Sequence, residues 1–192
     1  MRRRLRRKFY LWCISSLAAA VAADLYCDAR LEPAWADEAP PLQAAVMATY
    51  LVKFGPFIEW PPSSFPSSST PLTICVVGEL LSRALDEAAS GQRDGDHPIA
   101  VRHIATAAVD MPCHILFADG SPQQVAGALS AVKGKPVLTV TDQHDAASQK
   151  GIINFVIADN HVRFEIDPTQ AVQAGLSMSS QLLSLAVNMR GR

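Results

Sequence analysis

The chain has 192 residues, of which 49% are hydrophobic and 18% charged, with a formal net charge of −1. This is the composition of a folded protein and excludes a disordered chain. The length fits a single domain.

The amino-terminal stretch reads as an export signal rather than as part of the fold. Arg2, Arg3, Arg4, Arg6, Arg7 and Lys8 form a basic region, and Phe9–Ala23 carries no charge. A small-residue cleavage pattern, Ala34-Trp35-Ala36, precedes Asp37. The competing reading is a membrane anchor, but the 15 residues of Phe9–Ala23 fall short of the ~18–20 that span a bilayer. Arg6-Arg7-Lys8-Phe9 also fits a twin-arginine signal, so the export route stays open between that and Sec. Cysteine parity places the cut. Cleavage after Ala36 removes Cys13 and Cys27 and leaves Cys75 and Cys113 as an even pair, whereas cleavage after Ala23 strands Cys27 as an odd thiol in an oxidising compartment. Leu25-Tyr26 before Cys27 is too bulky for a lipoprotein signal. The expectation is a cleaved signal over 1–36 and one exported domain over 37–192. Residues 1–36 hold seven of the 17 basic and three of the 18 acidic residues, so ten basic and 15 acidic remain, a net of −5. That excludes a nucleic-acid binder, which needs a basic footprint.

Leu42 to about Phe54 has Leu42, Val46, Tyr50 and Phe54 at four-residue spacing, which predicts a helix ended by Gly55-Pro56. Phe57-Ile58-Glu59-Trp60-Pro61 is an aromatic turn; Phe57 and Trp60 read either as core plugs or as an exposed contact. Pro62–Pro71 is a loop by composition. Leu72–Gly78 predicts a buried strand, and Glu79–Ala89 a short helix with Leu81, Leu85 and Ala88 inward. Ser90–His97 is a polar turn, and Ile99–Ile104 a shorter strand. Cys113–Ala118 is a second buried strand, Gln123–Val132 a helix, and Pro136–Thr141 a third buried strand. Asp142–Lys150 is a short helix or a loop.

Residues 151–180 are the most informative. Ile152–Ala158 and His161–Asp167 flank Asp159-Asn160, a favoured two-residue hairpin turn. That turn sets Ile157 against Val162, Phe155 against Phe164 and Ile153 against Ile166 on one face. The other face carries Val156 against Arg163 and Asn154 against Glu165. The second strand alternates cleanly, which places it at a sheet edge or with one face wet. Asp167 predicts an N-cap with Pro168 at the first helical position, and Gly175 a C′ cap. Leu176–Ser179 reads as extended. A last helix, capped by Ser179 or Ser180, would run to about Met189. One long helix through Gly175 is the alternative, at a cost of about 1 kcal/mol for that glycine.

Alternating strands and helices predict an α/β three-layer sandwich. Its sheet is mostly parallel and flavodoxin-like, begins in strand order 2-1-3-4, and ends in an antiparallel hairpin. In that order the strands bearing Cys75 and Cys113 are neighbours, within disulfide reach. The alternatives are a bridge and two buried thiols, and export favours the bridge.

Motifs for chemistry are sparse. The chain has no GxGxxG, no GxxxxGK[ST], no GxSxG and no HExxH, and the five histidines are scattered, so no cofactor or metal is expected. Cys113-His114 are adjacent on a strand and point to opposite faces, which prevents a shared metal or a nucleophile–base pair. His144-Asp145 beside Ser148 reads as a solvated loop. Asn154, Arg163 and Glu165 form the main polar set, either a solvated strand face or a site for a small molecule or partner.

Several stretches, in order, resemble the YfiR-type periplasmic regulators. They are Tyr50-Leu51, Lys53-Phe54 and Phe57-Ile58-Glu59-Trp60-Pro61, then Pro71–Gly78, Cys113–Phe117 and Pro136–Asp142. Gly151–Val156, Val162–Ile166, Ala174–Leu176 and Ser179–Leu183 complete the set, which covers nearly all of 42–189. The resemblance implies a non-enzymatic, often dimeric periplasmic protein. Such a protein binds the periplasmic sensor domain of a membrane diguanylate cyclase, holds it inactive, and so restrains cyclic-di-GMP and biofilm. It also places the family's cysteine pair on Cys75 and Cys113, while a second pair found near the hairpin in a relative has no counterpart here. Phe57, Trp60, Asn154, Arg163 and Glu165 are the partner-contact candidates, and a sensor kinase is another partner of the same kind. Two other readings compete with this one. The first is a periplasmic solute-binding or chaperone-like protein using the open hairpin face. The second is a secreted hydrolase built on Asp142, His144 or Asp145.

Overall fold

A computed structural model describes residues 42–105, 112–145 and 148–191. The expected signal, its cleavage site and the polar lead Asp37–Pro41 lie outside the described residues. Among the described residues, no helix is long and apolar enough to cross a membrane.

In chain order the elements are α1 (Leu42–Lys53), β1 (Ile58–Glu59), β2 (Leu72–Val77), α2 (Ser82–Ala89), β3 (Arg93–Asp94) and β4 (His97–His103). They continue with β5 (Ile115–Ala118), α3 (Pro122–Ala131), β6 (Leu138–Thr141), β7 (Ile153–Ala158) and β8 (His161–Ile166). The chain ends with α4 (Pro168–Gln173), β9 (Ser177–Met178), α5 (Ser180–Leu185) and β10 (Asn188–Met189).

Eight strands form one sheet in the order β3-β4-β2-β5-β6-β7-β8-β10. The run β4-β2-β5-β6-β7 is parallel, β8 returns antiparallel to β7, and the short β3 and β10 close the two edges. This is the expected 2-1-3-4 order with the hairpin added. β1 and β9 form a separate antiparallel pair. β2, β5 and β6 are buried at every position, the pattern of strands in the middle of a parallel sheet. Leu72, Ile74 and Val76 of β2 face the larger core beneath α1 and α2, with Phe117, Val140, Phe155 and Phe164. Cys75 and Val77 face the other way, into a smaller core with Leu116, with Val125 and Ala128 from α3 and with Val132 just after it. These are the three layers.

The hairpin has the expected register at all six pairs, from Ile153↔Ile166 to Ala158↔His161. Asp159 and Asn160 adopt φ of 51° and 59°, as a type I′ turn requires. Asp167 Oδ1 accepts the Gln170 N–H at 3.0 Å, with Pro168 in the first turn. Gly175, at φ 74°, ends α4 with Gly175 N–H to Val172 C=O and Leu176 N–H to Ala171 C=O, a Schellman closure that rules out one long helix.

Four expectations need correction. Leu42 is 80% exposed, and the buried face of α1 is Ala44, Met47, Ala48, Leu51 and Val52. A strict four-residue row drifts by about 40° per step around a helix, so only Tyr50 and Phe54 of that row reach the core rings. α2 begins at Ser82, because Asp119 Oδ2 takes the Leu80 N–H at 2.8 Å and holds residues 79–81 as a turn. The polar turn after α2 contains β3, a short partner to a longer β4. The last helix stops at Leu185 rather than near Met189. Val187 N–H bonds Phe164 C=O and Arg190 N–H bonds Ile166 C=O, so 187–190 run along β8 as the true sheet edge. β8 keeps one wet face, on which His161 and Arg163 are exposed.

Candidate functional site

The Cys75–Cys113 disulfide joins β2 to the residue two places before β5, with Cα atoms 5.8 Å apart. Beside it, His114 is buried and uses both ring nitrogens. Its Nδ1 accepts the Thr73 N–H at 3.0 Å, which makes Nε2 the protonated nitrogen, and Nε2–H donates to the Ser64 carbonyl at 2.9 Å. Burial pushes its pKa down, the Ser64 bond opposes this, and the neighbouring His97 charge adds to the lowering. Phe65 lies between the two imidazoles, with ring centroids 4.2 Å from His114 and 4.3 Å from His97. His97 Nδ1 lies 2.7 Å from the Thr70 carbonyl. The Ser/Pro loop is therefore pinned to the sheet at Ser64, Phe65 and Thr70. Trp60 closes this cluster edge-on to Phe65 and His114, and both Trp60 and Phe57 are half-buried against the larger core. Each of these two aromatics is thus partly in the core and partly exposed.

The hairpin's polar face divides. Asn154, read from the alternation as facing outward, is fully buried. Its Oδ1 accepts from Thr141 Oγ1 at 2.8 Å and from the Gln143 N–H at 2.9 Å. Its Nδ2 donates to the Gln143 and Phe155 carbonyls, each at 3.1 Å. Thr141 and Gln143 enclose this side chain, so Asn154 has no surface to offer a partner. Arg163 is exposed. Glu165 is half-buried, with Lys150 Nζ and Arg190 Nε each 3.5 Å from its Oε2. Arg190 also donates to the Gly151 carbonyl at 2.7 Å, which ties the last described residues to the start of β7. Lys150 and Arg190 escape a sequence reading because they lie 15 and 25 residues from Glu165. Only the edge strand β10 brings Arg190 back.

A third group sits at the carboxyl ends of the parallel strands, where α/β folds commonly place ligands. Asp119 follows β5 and overhangs Gly78, whose φ of 107° leaves space that a Cβ would take from the carboxylate. Burial raises the Asp119 pKa, the Leu80 N–H opposes this, and the Asp142 charge adds to the rise. Burial raises Asp142 as well, against the lowering effect of His144. Among the described residues, no three His, Cys, Asp or Glu side chains are placed to hold a metal ion together. His144 and Asp145 are exposed on the loop after β6. Cys113 is bonded to Cys75 and both His114 nitrogens are engaged, so these two neighbours form no nucleophile–base pair.

No curated protein matches the chain. A family model described as YfiR/HmsC-like matches residues 44–187, which runs from the first turn of α1 to the residue before β10 and takes in the whole sandwich, the disulfide and the hairpin. The chain belongs to the YfiR/HmsC-like family.

Proposed function

We propose that the protein is a periplasmic regulatory binding protein that holds a membrane diguanylate cyclase inactive through the cyclase's periplasmic sensor domain. The family match over residues 44–187 carries this reading, because the family is regulatory rather than catalytic and is associated with control of such a cyclase. The amino-terminal basic and apolar run supplies export, with cleavage after Ala36 and one domain over 37–192. Contact with the partner falls to the solvent-facing parts of Phe57 and Trp60, and to Arg163 and Glu165.

Two measurements test this together. The protein, captured from the periplasm, is used to recover partners from solubilised inner membranes. Cyclic-di-GMP is then measured in cells with and without the gene. The expected result is recovery of a membrane protein with a cyclase output domain, and a rise in cyclic-di-GMP when the gene is deleted. Failure to recover any membrane signalling protein, together with unchanged cyclic-di-GMP, would return the protein to a solute-binding or chaperone-like role.

A further inference from the structure

Two cavities, of about 1170 and 580 Å³, open on the sheet face that carries α3. Both have Lys135 and Val137 in their walls, so together they form one groove along the amino ends of β2, β5, β6 and β7. Thr139 and Ile152 form its floor, and the second half of α3 and the Gln170–Ala174 side of α4 its walls. This is the opposite end of the sheet from Asp119 and Asp142.

Charge is concentrated here. Arg102, Lys133, Lys135, Lys150 and Arg190 line the groove. They are half of the ten basic residues in 37–192, a segment whose net charge is −5. No described carboxylate lines it. Glu165 stands behind Lys150 and Arg190 and holds both in place from outside the groove. Arg102 and Lys133 are exposed at the rim.

The shape and chemistry select among anionic occupants. The two cavities together exceed the ~300–1,000 Å³ usual for a small-molecule site. Apart from the His114 imidazole, no aromatic ring is among the lining residues described, so no platform stacks a nucleobase. Gln173 on one wall carries an amide donor and acceptor suited to a main chain, and Gln170, whose Nε2 donates to Asp167 Oδ2 at 2.9 Å, adds its amide oxygen as an acceptor.

We propose that this groove receives an extended acidic segment of a partner polypeptide. The proposal rests on the regulatory reading only in making the occupant a protein; it does not require that protein to be a cyclase.

The test is fluorescence anisotropy with the protein purified in its exported, processed form, using a labelled Glu-Ser repeat peptide and its Gln-Ser twin at low and at physiological salt. The acidic peptide is expected to bind saturably, more weakly as salt rises, and at least about tenfold tighter than its neutral twin. The rim pair Arg102→Glu with Lys133→Glu should weaken it about tenfold as exposed attractions become repulsions, with the melting temperature unchanged. Arg102→Gln with Lys133→Gln, which removes charge without adding any, should fall between. Equal binding of the two peptides, or binding untouched by both double variants, would overturn the proposal. So would complete displacement of the peptide by equimolar inorganic phosphate, which would assign the groove to a small anion. Peptide binding of the expected kind in a protein that leaves cyclic-di-GMP unchanged supports the groove and sinks only the cyclase reading. Charge-reversed protein that loses nothing in peptide binding yet still represses the cyclase sinks only the groove.

Discussion

The Cys75–Cys113 bridge closes a loop of 38 residues that holds β2, α2, β3 and β4. Reducing it leaves both sulfurs in the core, where Cys75 is fully buried and Cys113 is 9% exposed. Packing therefore changes little, and the loss falls on the unfolded chain, which gains the freedom the closed loop denied it. Loop-entropy accounting for that length puts the cost at about 4 kcal/mol. For a domain of this size each kcal/mol shifts the midpoint by about 2–4 °C, so the melting temperature should drop by about 8–16 °C. The assay is paired thermal and urea unfolding of oxidised and reduced protein, with Cys75→Ala/Cys113→Ala as a control that no reductant can alter. A looser unfolded state exposes more surface, so the urea m-value should also rise on reduction. A loss below about 1 kcal/mol with an unchanged m-value would refute the loop argument, and would mean that hydrogen bonds between β2, β4 and β5 already hold this segment in the unfolded ensemble.

Asn154→Leu should cost about 2–4 kcal/mol in urea unfolding, because Thr141 Oγ1 and the Gln143 N–H and C=O lose buried partners together; a change under 0.5 kcal/mol, on the order of an ordinary surface substitution, would put Asn154 back on the surface. Arg163→Ala should stay within about 0.5 kcal/mol of wild type while weakening repression of the partner, whereas Glu165→Ala should cost about 1 kcal/mol by leaving Lys150 and Arg190 facing each other; unchanged repression in both variants would remove the hairpin from the contact surface. His114 sets a pH dependence. Its folded pKa lies below the ordinary 6.5, so as pH falls through 6.5 the unfolded chain takes up a proton the folded chain refuses, and stability drops. Asp94, Asp119 and Asp142 act in the opposite sense. Their folded pKa values lie above the ordinary 3.8, so the folded chain protonates first and gains stability as pH falls toward that value. The stability advantage of wild type over His114→Gln should therefore shrink between about pH 7 and pH 5, and a constant difference would show that His114 does not carry the proton linkage.

The hairpin was readable from sequence because local chemistry decides it. Asp159-Asn160 tolerates positive φ, and that turn alone fixes six cross-strand pairs. The Asp167 and Gly175 caps are equally local. Local pattern and final structure part where a distant group intervenes. The Leu80 N–H looks like the start of a helix until Asp119, 39 residues on, claims it. The final helix looks continuous to Met189 until the backbone of β8 captures 187–190. The basic groove was invisible for the same reason, since its five cations are scattered from Arg102 to Arg190 and meet only after the sheet is built.

Asn154 shows why residue type alone misleads about function. A polar side chain on a half-polar strand suggests a binding face, yet burial would be costly here without partners, and this one has four. His114 and Asp119 follow the same logic: each is buried, and each bonds backbone groups that would otherwise be left unpaired, at the ends of strands whose helical cover is incomplete. Between parallel strands β6 and β7 the described residues form no crossover helix, and Ser148, Gln149 and Lys150 line the α3 face where one would normally lie. That arrangement has two consequences. It obliges Thr139, Thr141 and Asn154 to satisfy the loop's backbone, with Thr139 Oγ1 accepting from Ile152 N–H and Thr141 Oγ1 from Gly151 N–H, each within 3.0 Å. It also leaves open the sheet face on which the groove forms. The polar residues that look functional in the sequence thus hold up the floor, while the proposed groove is lined by lysines and arginines that no motif singles out.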